Sequence, residues 1–295
     1  MSVKHPIIAI TGSSGAGTTT VKKAFEGIFR RGQISSAVVE GDSFHRFNRK
    51  EMKEAVVKAD AEGRDLSHFG PDANVFKELE NLFRDYSNDG AGKRRYYLHN
   101  DEEAAPYKQE PGTFTEWADL PENTDLLFYE GLHGGVSDDA EGIDVSRYVD
   151  LLIGVVPSVN LEWIQKIHRD VHERGYSTEA VVHTILRRMP DYVNYIVPQF
   201  TKTHINFQRV PLVDTSNPFI ARDIPTADES MVVIRFNRYR DQDYNYLLNM
   251  IHGSFMARPN SLVIPGGKMG FAMEVIFRPI IARMMEDKRK ALLGG

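Results

Sequence analysis

A stretch near the start, Gly12-Ser13-Ser14-Gly15-Ala16-Gly17-Thr18-Thr19-Thr20, has the residue types and spacing to hold phosphate. It follows the apolar run Ile7-Ile8-Ala9-Ile10-Thr11 and precedes a helix-prone segment, Val21 to Phe29. A glycine loop between strand and helix aims backbone N–H groups and a helix N-terminus at one point, and both favour an anion. Gly12 and Gly17 fit the outer glycines of a phosphate loop, and Thr19 the hydroxyl that reaches Mg²⁺. Thr18 stands where a lysine is usual, so a phosphate-facing cation must come from elsewhere. A tight turn packed with small residues would explain the glycines, but not apolar run, spacing, hydroxyls and helix together.

Two carboxylates stand where such a loop could use them. Asp125-Leu126-Leu127-Phe128-Tyr129-Glu130-Gly131 reads as a buried strand with Glu130 at its C-terminal edge, a place from which an acid holds Mg²⁺ or caps a neighbouring helix. Asp42 follows a second short strand, Ser36 to Glu40. Ligands of open α/β sheets bind beyond the carboxyl ends of strands, so Asp42 is either a turn residue or the group that takes an acceptor's proton. His45, Arg46, Arg49 and Lys53 come next. If helical, His45, Arg49 and Lys53 line one face, which suits a phosphorylated acceptor or is simply a solvated basic face. Lys166, Arg169, Asp170 and Glu173 or Arg174 share a face opposite Trp163, Ile164, Ile167 and Val171. That face either swings cations towards a transferring phosphoryl group or is laced with ion pairs.

The elements that must position these groups alternate strand and helix, which predicts a parallel sheet wound right-handedly. Further strands are expected at Tyr148 to Pro157, Val210 to Asp214 and Met231 to Phe236. Helices are expected at Arg49 to Glu62, Val75 to Tyr86, Leu161 to Arg174, Thr178 to Met189 and Ala272 to Lys290. Residues 87–123 are rich in Gly, Pro, Asn and charge, with isolated aromatics, and read as an irregular substrate or lid excursion from a single kinase domain over 1–295. Net charge is −5 with acids and bases interspersed, which argues against a nucleic-acid binder. The chain has no cysteine, so disulfides, thiol catalysis and Cys-ligated zinc are excluded. No apolar run approaches the ~20 residues of a membrane span. The N-terminus enters a core strand directly, so no signal peptide and a cytoplasmic setting are expected.

The chain resembles the bacterial phosphoribulokinases nearly end to end. The resemblance rests on the glycine loop with its Thr18, on Glu40-Gly41-Asp42-Ser43-Phe44-His45-Arg46 and on Leu127-Phe128-Tyr129-Glu130-Gly131-Leu132-His133-Gly134. It also rests on Val159 to Asp170, Asn206-Phe207-Gln208-Arg209-Val210-Pro211 and Asp214-Thr215-Ser216-Asn217-Pro218-Phe219. It implies a P-loop kinase with a nucleoside-monophosphate-kinase-like mixed α/β sheet flanked by helices. It implies Mg²⁺- and ATP-dependent phosphorylation of D-ribulose 5-phosphate to the 1,5-bisphosphate. By that resemblance Asp42 is the base, Lys166 and Arg169 are catalytic cations, and Thr19, Glu130 and Asp170 attend the metal. His45, Arg49, Lys53, His99 and Arg174 would contact the sugar phosphate. Arg31, Arg188, Arg235 and Arg258 would belong to regulation by NADH and AMP in a homo-oligomer, typically an octamer. Within enzymes the alternative is a uridine-kinase-like nucleoside kinase, against which the cations after Asp42 argue. Outside enzymes it is a nucleotide-switch binding protein. The nearest approach to that class's Asn-Lys-x-Asp reader, Thr201-Lys202-Thr203-His204, lacks the aspartate.

Overall fold

The computed structural model describes residues 2–12, 18–172, 175–221, 223–237 and 242–293. Strand β1 (Ile7–Gly12) leads to α1 (Thr18–Gly32), β2 (Ser36–Glu40), α2 (Arg49–Ala61) and α3 (Phe76–Asp89). A small excursion holds β3 (Lys93–Arg94), α4 (Asp101–Ala104) and β4 (Ala118–Asp119). The chain then returns through β5 (Leu126–Gly131), the short pair β6 (Ser137–Asp138) and β7 (Ile143–Asp144), and β8 (Leu151–Val156). Helices α5 (Val159–His172), α6 (Thr178–Arg187), α7 (Met189–Asp191) and α8 (Gln199–Lys202) follow. The last part is β9 (Ile205–Pro211), β10 (Ser230–Phe236), α9 (Tyr244–Met250), β11 (Phe255–Arg258), β12 (Ser261–Pro265) and α10 (Met269–Leu293).

Eight strands form one mixed sheet in the order β11-β12-β10-β9-β8-β1-β5-β2. The five from β9 to β2 run parallel, and β10, β12 and β11 extend it antiparallel. In β1, Ile8 and Ile10 pack with Phe25, Phe128 and Phe277 on the face covered by α1 and α10. Ile7 and Ala9 pack with Leu79, Phe83 and Tyr129 on the other face, under α3. Burial on both faces is why this strand is a continuous apolar run rather than an alternating one. Gly12, at its end, passes so close to β8 that a Cβ there would lie 2.6 Å from the Val155 carbonyl oxygen.

Most predicted elements are found within a few residues of their expected bounds. One strand is displaced. Val210 to Asp214 looked like the strand, but β9 spans Ile205–Pro211. Its inward Ile205 and Phe207 alternate with Asn206 and Gln208, while Leu212 and Val213 lie exposed beyond its end. The parallel reading of the sheet covers only the five strands from β9 to the edge strand β2, and the mixed sheet implied by the resemblance is the one observed.

Candidate active site

The tips of β1, β5 and β2 converge on one edge of the sheet. Glu130 of β5 is in register with Ile10 of β1 on one side and Glu40 of β2 on the other. Lys22 of α1 reaches in and pairs with Glu40 at 2.7 Å. The Glu40 hydrogen bond and the charges of Glu40 and Glu130 outweigh burial and raise its pKa. Directly after β2 the chain makes a tight helical turn, Gly41–Phe44, that carries Asp42. This turn lies against the end of β5: a Cβ on Gly131 would stand 2.6 Å from the Gly41 Cα, and one on Gly41 would stand 2.6 Å from the Tyr129 hydroxyl. Glycine is therefore required at both crossing points, for close approach rather than for an unusual φ.

Asp42 faces two imidazoles. Oδ1 lies 3.2 Å from His45 Nε2, and Oδ2 3.6 Å from His99 Nε2. Its side chain is 42% exposed, so the carboxylate is densely surrounded yet reachable by a ligand. Burial alone would raise its pKa, but the His45 hydrogen bond and the charges of His45 and His99 hold it far below the usual carboxylate range. Burial correspondingly lowers His45, and the Asp42 and Asn74 hydrogen bonds more than reverse it. His68 lies against His45, with ring centroids 4.2 Å apart and planes tilted by 36°, and is held neutral by burial and by the His45 and Arg188 charges. His133, buried against the Phe69 carbonyl at 3.0 Å, is depressed to about 3 by that burial.

Helix α2 starts with an Asn48–Glu51 capping box. Arg49 sits in its first turn, donating to the His99 carbonyl at 2.8 Å, and Lys53 lies exposed one turn further on. Cations at a helix N-terminus oppose the macrodipole, so Arg49 is placed there against local preference. The excursion folds back over this region. Arg95 lies 3.7 Å from the Phe114 ring centroid and 4.8 Å from that of Trp117. It donates to the Ser43 carbonyl at 2.8 Å and the His45 carbonyl at 2.6 Å. The isolated aromatics of this segment thus clamp the Asp42 turn.

On α5, Lys166 pairs with Asp170, and Arg169 Nε approaches the same carboxylate at 3.3 Å. Lys166 and Asp170 are only 13% and 6% exposed. Burial, then the Arg188 charge, depress the Lys166 ammonium to about 8 despite its partner. Arg188, pushed down by burial to about 10, stands over the Phe69 ring at 5.4 Å and lines a small cavity with Lys166, Glu162 and Tyr192. Residues 66–70 tie the two clusters together, since the His68 ring lies against His45 while Phe69 lies under Arg188.

Mg²⁺ is commonly held by one or two carboxylates plus phosphate oxygens and water. Among the described residues no group of three potential ligands is present. Glu130, at a strand tip two residues from the level of Gly12, fits the sparser arrangement.

A model of the Phosphoribulokinase / Uridine kinase family matches residues 7–216. The chain belongs to this family. It is 63% identical over 292 residues to a chromosomal phosphoribulokinase of Cupriavidus necator, covering 99% of each chain. It is 60% identical over 289 residues to a phosphoribulokinase of Nitrobacter vulgaris, covering 98% of this chain and 99% of that one. A solved phosphoribulokinase from Rhodobacter spheroides superposes with a TM-score of 0.90 at 54% identity, over 98% of this chain and all (100%) of that one. The family thus has the P-loop kinase fold and phosphotransfer chemistry that the glycine loop pointed to.

Of the residues named from sequence, Asp42, His45 and His99 meet, with Arg49 touching His99. Lys166, Arg169 and Asp170 form a second cluster. Ser13, Ser14, Gly15, Ala16, Gly17 and Arg174 lie outside the described residues, as do the side chains of Thr18 and Thr19. Thr20 lies in the first turn of α1. Arg235 and Arg258 stand in register with Ser261 from opposite sides of β12, Arg31 pairs with Glu274 of α10 at 2.5 Å, and Arg188 sits beside Lys166 instead. Sequence reasoning missed Asn74, His68 and Arg95, whose partners are distant in the chain. The aromatics flanking Arg95 were the one available signal.

Proposed function

We propose that this chain is a phosphoribulokinase, transferring the γ-phosphoryl group of ATP to the C1 hydroxyl of D-ribulose 5-phosphate. The observation that carries this reading is a carboxylate, Asp42, held between two imidazoles beside the basic first turns of α2, in a chain matching phosphoribulokinases over 99% of its length. In the reaction, the C1 oxygen forms a bond to the γ-phosphorus as the bond to the β,γ-bridging oxygen breaks. ADP leaves with that electron pair. The hydroxyl proton passes to Asp42.

The glycine loop from Gly12 to Thr20 would cradle the nucleotide phosphates. Thr19, Glu130 and Asp170 are the residues that would hold Mg²⁺, which would supply neutralisation of phosphate charge. Lys166 and Arg169 would meet charge on the moving phosphoryl group in place of the absent loop lysine. His45, Arg49, Lys53, His99 and Arg174 would grip the 5-phosphate and orient the sugar, which explains a cationic face where a nucleoside kinase needs none. A homo-oligomer, an octamer by resemblance, regulated by NADH through Arg31, Arg188, Arg235 and Arg258 completes the proposal. The approach of Arg235 and Arg258 from either side of Ser261 supports part of that set. Replacing Asp42→Asn is expected to lower kcat by 10²–10⁴-fold or more with ATP binding retained. A variant keeping most of its turnover at saturating substrates would remove Asp42 as the base.

A further inference from the structure

Asn74 is 1% exposed and meets His45, at the end of the Asp42 turn, through both its backbone and its side chain. It forms an isolated β-bridge with His45, flanked by main-chain bonds from Arg46 N–H to the Ala73 carbonyl and from Val75 N–H to the Phe44 carbonyl. Its side-chain nitrogen lies 2.9 Å from the His68 carbonyl oxygen and 2.6 Å from that of Gly70. Carbonyls only accept, so that atom must be the amide NH₂ and the other must be its oxygen. The oxygen lies 2.8 Å from His45 Nδ1. An amide oxygen only accepts, so Nδ1 must carry a hydrogen. Nε2, on the opposite side of the ring, then faces the Asp42 carboxylate at 3.2 Å. A neutral Nδ1–H ring would present a lone pair to that carboxylate. A second hydrogen on Nε2 turns the repulsion into a charge-assisted hydrogen bond.

We propose that Asn74 is a positioning residue of the acceptor site: by accepting the Nδ1–H of His45 it compels Nε2 to carry a proton towards Asp42, fixing the pair as imidazolium and carboxylate. The carboxylate stays ionised and free to take the acceptor's proton, and a fixed positive charge faces an anionic sugar. The other groups facing His45 fit this arrangement. Asp42 is its anion, with His99 on the far oxygen. His68 packs against it as a neutral, tilted ring, Tyr97 approaches edge-on at 6.4 Å, Arg95 holds the His45 carbonyl, and His133 is kept neutral by burial.

The inference rests on the reading of Asp42 as base, and its test separates the two. Neutron diffraction from deuterium-exchanged crystals of the unaltered protein near neutral pD is expected to show deuterons on both His45 nitrogens and none on Asp42. A bare Nδ1, or a deuteron on Asp42 with Nε2 bare, overturns the proposal. In Asn74→Leu the ring can turn neutral with its hydrogen on Nε2. Losing the imidazolium charge that faces Asp42 and the anionic sugar is then expected to lower kcat/KM for ribulose 5-phosphate roughly tenfold at pH 8, and little at pH 6 where the ring stays protonated. An equal loss at both values would mark a purely structural role and contradict it. If the deuterons are as expected while Asp42→Asn retains turnover, the base assignment fails and the role of Asn74 at His45 stands.

Discussion

Arg49 shows how a single side chain couples two segments to one ligand. Its backbone N–H bonds the Gly112 carbonyl at 2.8 Å and its guanidinium bonds that of His99 at 2.8 Å, so it ties α2 to the excursion while retaining donors for an anion. Arg49→Ala is expected to raise KM for ribulose 5-phosphate by roughly 10–100-fold, the worth of a charge-assisted hydrogen bond, with a smaller change in kcat. Steady-state kinetics with the acceptor varied checks this, and a fall in kcat at unchanged KM would instead place Arg49 in the transition state. Asp42 and the cations of α2 and α5 were legible in the sequence because their spacing is helical or follows a strand end. Asn74, His68 and Arg95 were not. Their roles arise from hydrogen bonds and ring contacts across distant parts of the chain, such as Arg95 to Ser43, that no local periodicity encodes.

At the scale of elements, the site depends on the crossing of the Asp42 turn over the end of β5. Two glycines permit it, and a side chain on either would meet backbone or the Tyr129 hydroxyl. Gly131→Ala should cost about 1–3 kcal/mol through overpacking and displace Asp42, lowering both Tm and kcat. Calorimetry and a turnover assay on the same preparation test this, and unchanged values in both would show that the crossing has slack. Strands buried on both faces, such as β1, β5 and β8, were legible as apolar runs. Strand β9 was misplaced because its inward residues alternate with polar ones and a more apolar stretch, Val210 to Val213, continues past its end into solvent. The excursion's aromatics marked it as ordered, but their packing around Arg95 and Phe44 follows only from the fold.

Across the molecule, α1 and α10 share one apolar layer in which Phe25 meets Phe29, Phe128 and Phe277. Asp150 ties the start of β1 to the approach of β8 by accepting the Ile7 N–H at 2.9 Å. Burial raises its carboxyl to about 6 despite that bond. An unfolded aspartate titrates near ~3.9, so between those values the folded chain holds a proton the unfolded chain has lost. Stability from this group therefore falls as pH rises from about 4 to about 6 and stays reduced above it. Asp150→Asn, whose amide oxygen can still accept from Ile7, should be more stable by about 1 kcal/mol at pH 7.5, after discounting for partial exposure, with no gain at pH 4. Thermal melts at the two pH values check the sign, and a gain at pH 4 would refute it. The fold class was legible because a glycine loop between a buried strand and a helix admits few architectures. The antiparallel extension of the sheet was not legible from the residues alone: Met231 to Phe236 reads as a strand but its pattern does not encode its direction, and β11 and β12 lie in a Gly/Pro-punctuated segment.

The central claim is that Asp42 presents a base to a hydroxyl on an already anionic sugar. The most direct measurement is phosphoryl transfer from labelled ATP in the presence of Mg²⁺, with ribulose 5-phosphate and uridine offered as separate acceptors. The account predicts label at C1 of ribulose 5-phosphate and a kcat/KM for uridine lower by orders of magnitude. Equal or faster labelling of uridine would contradict it.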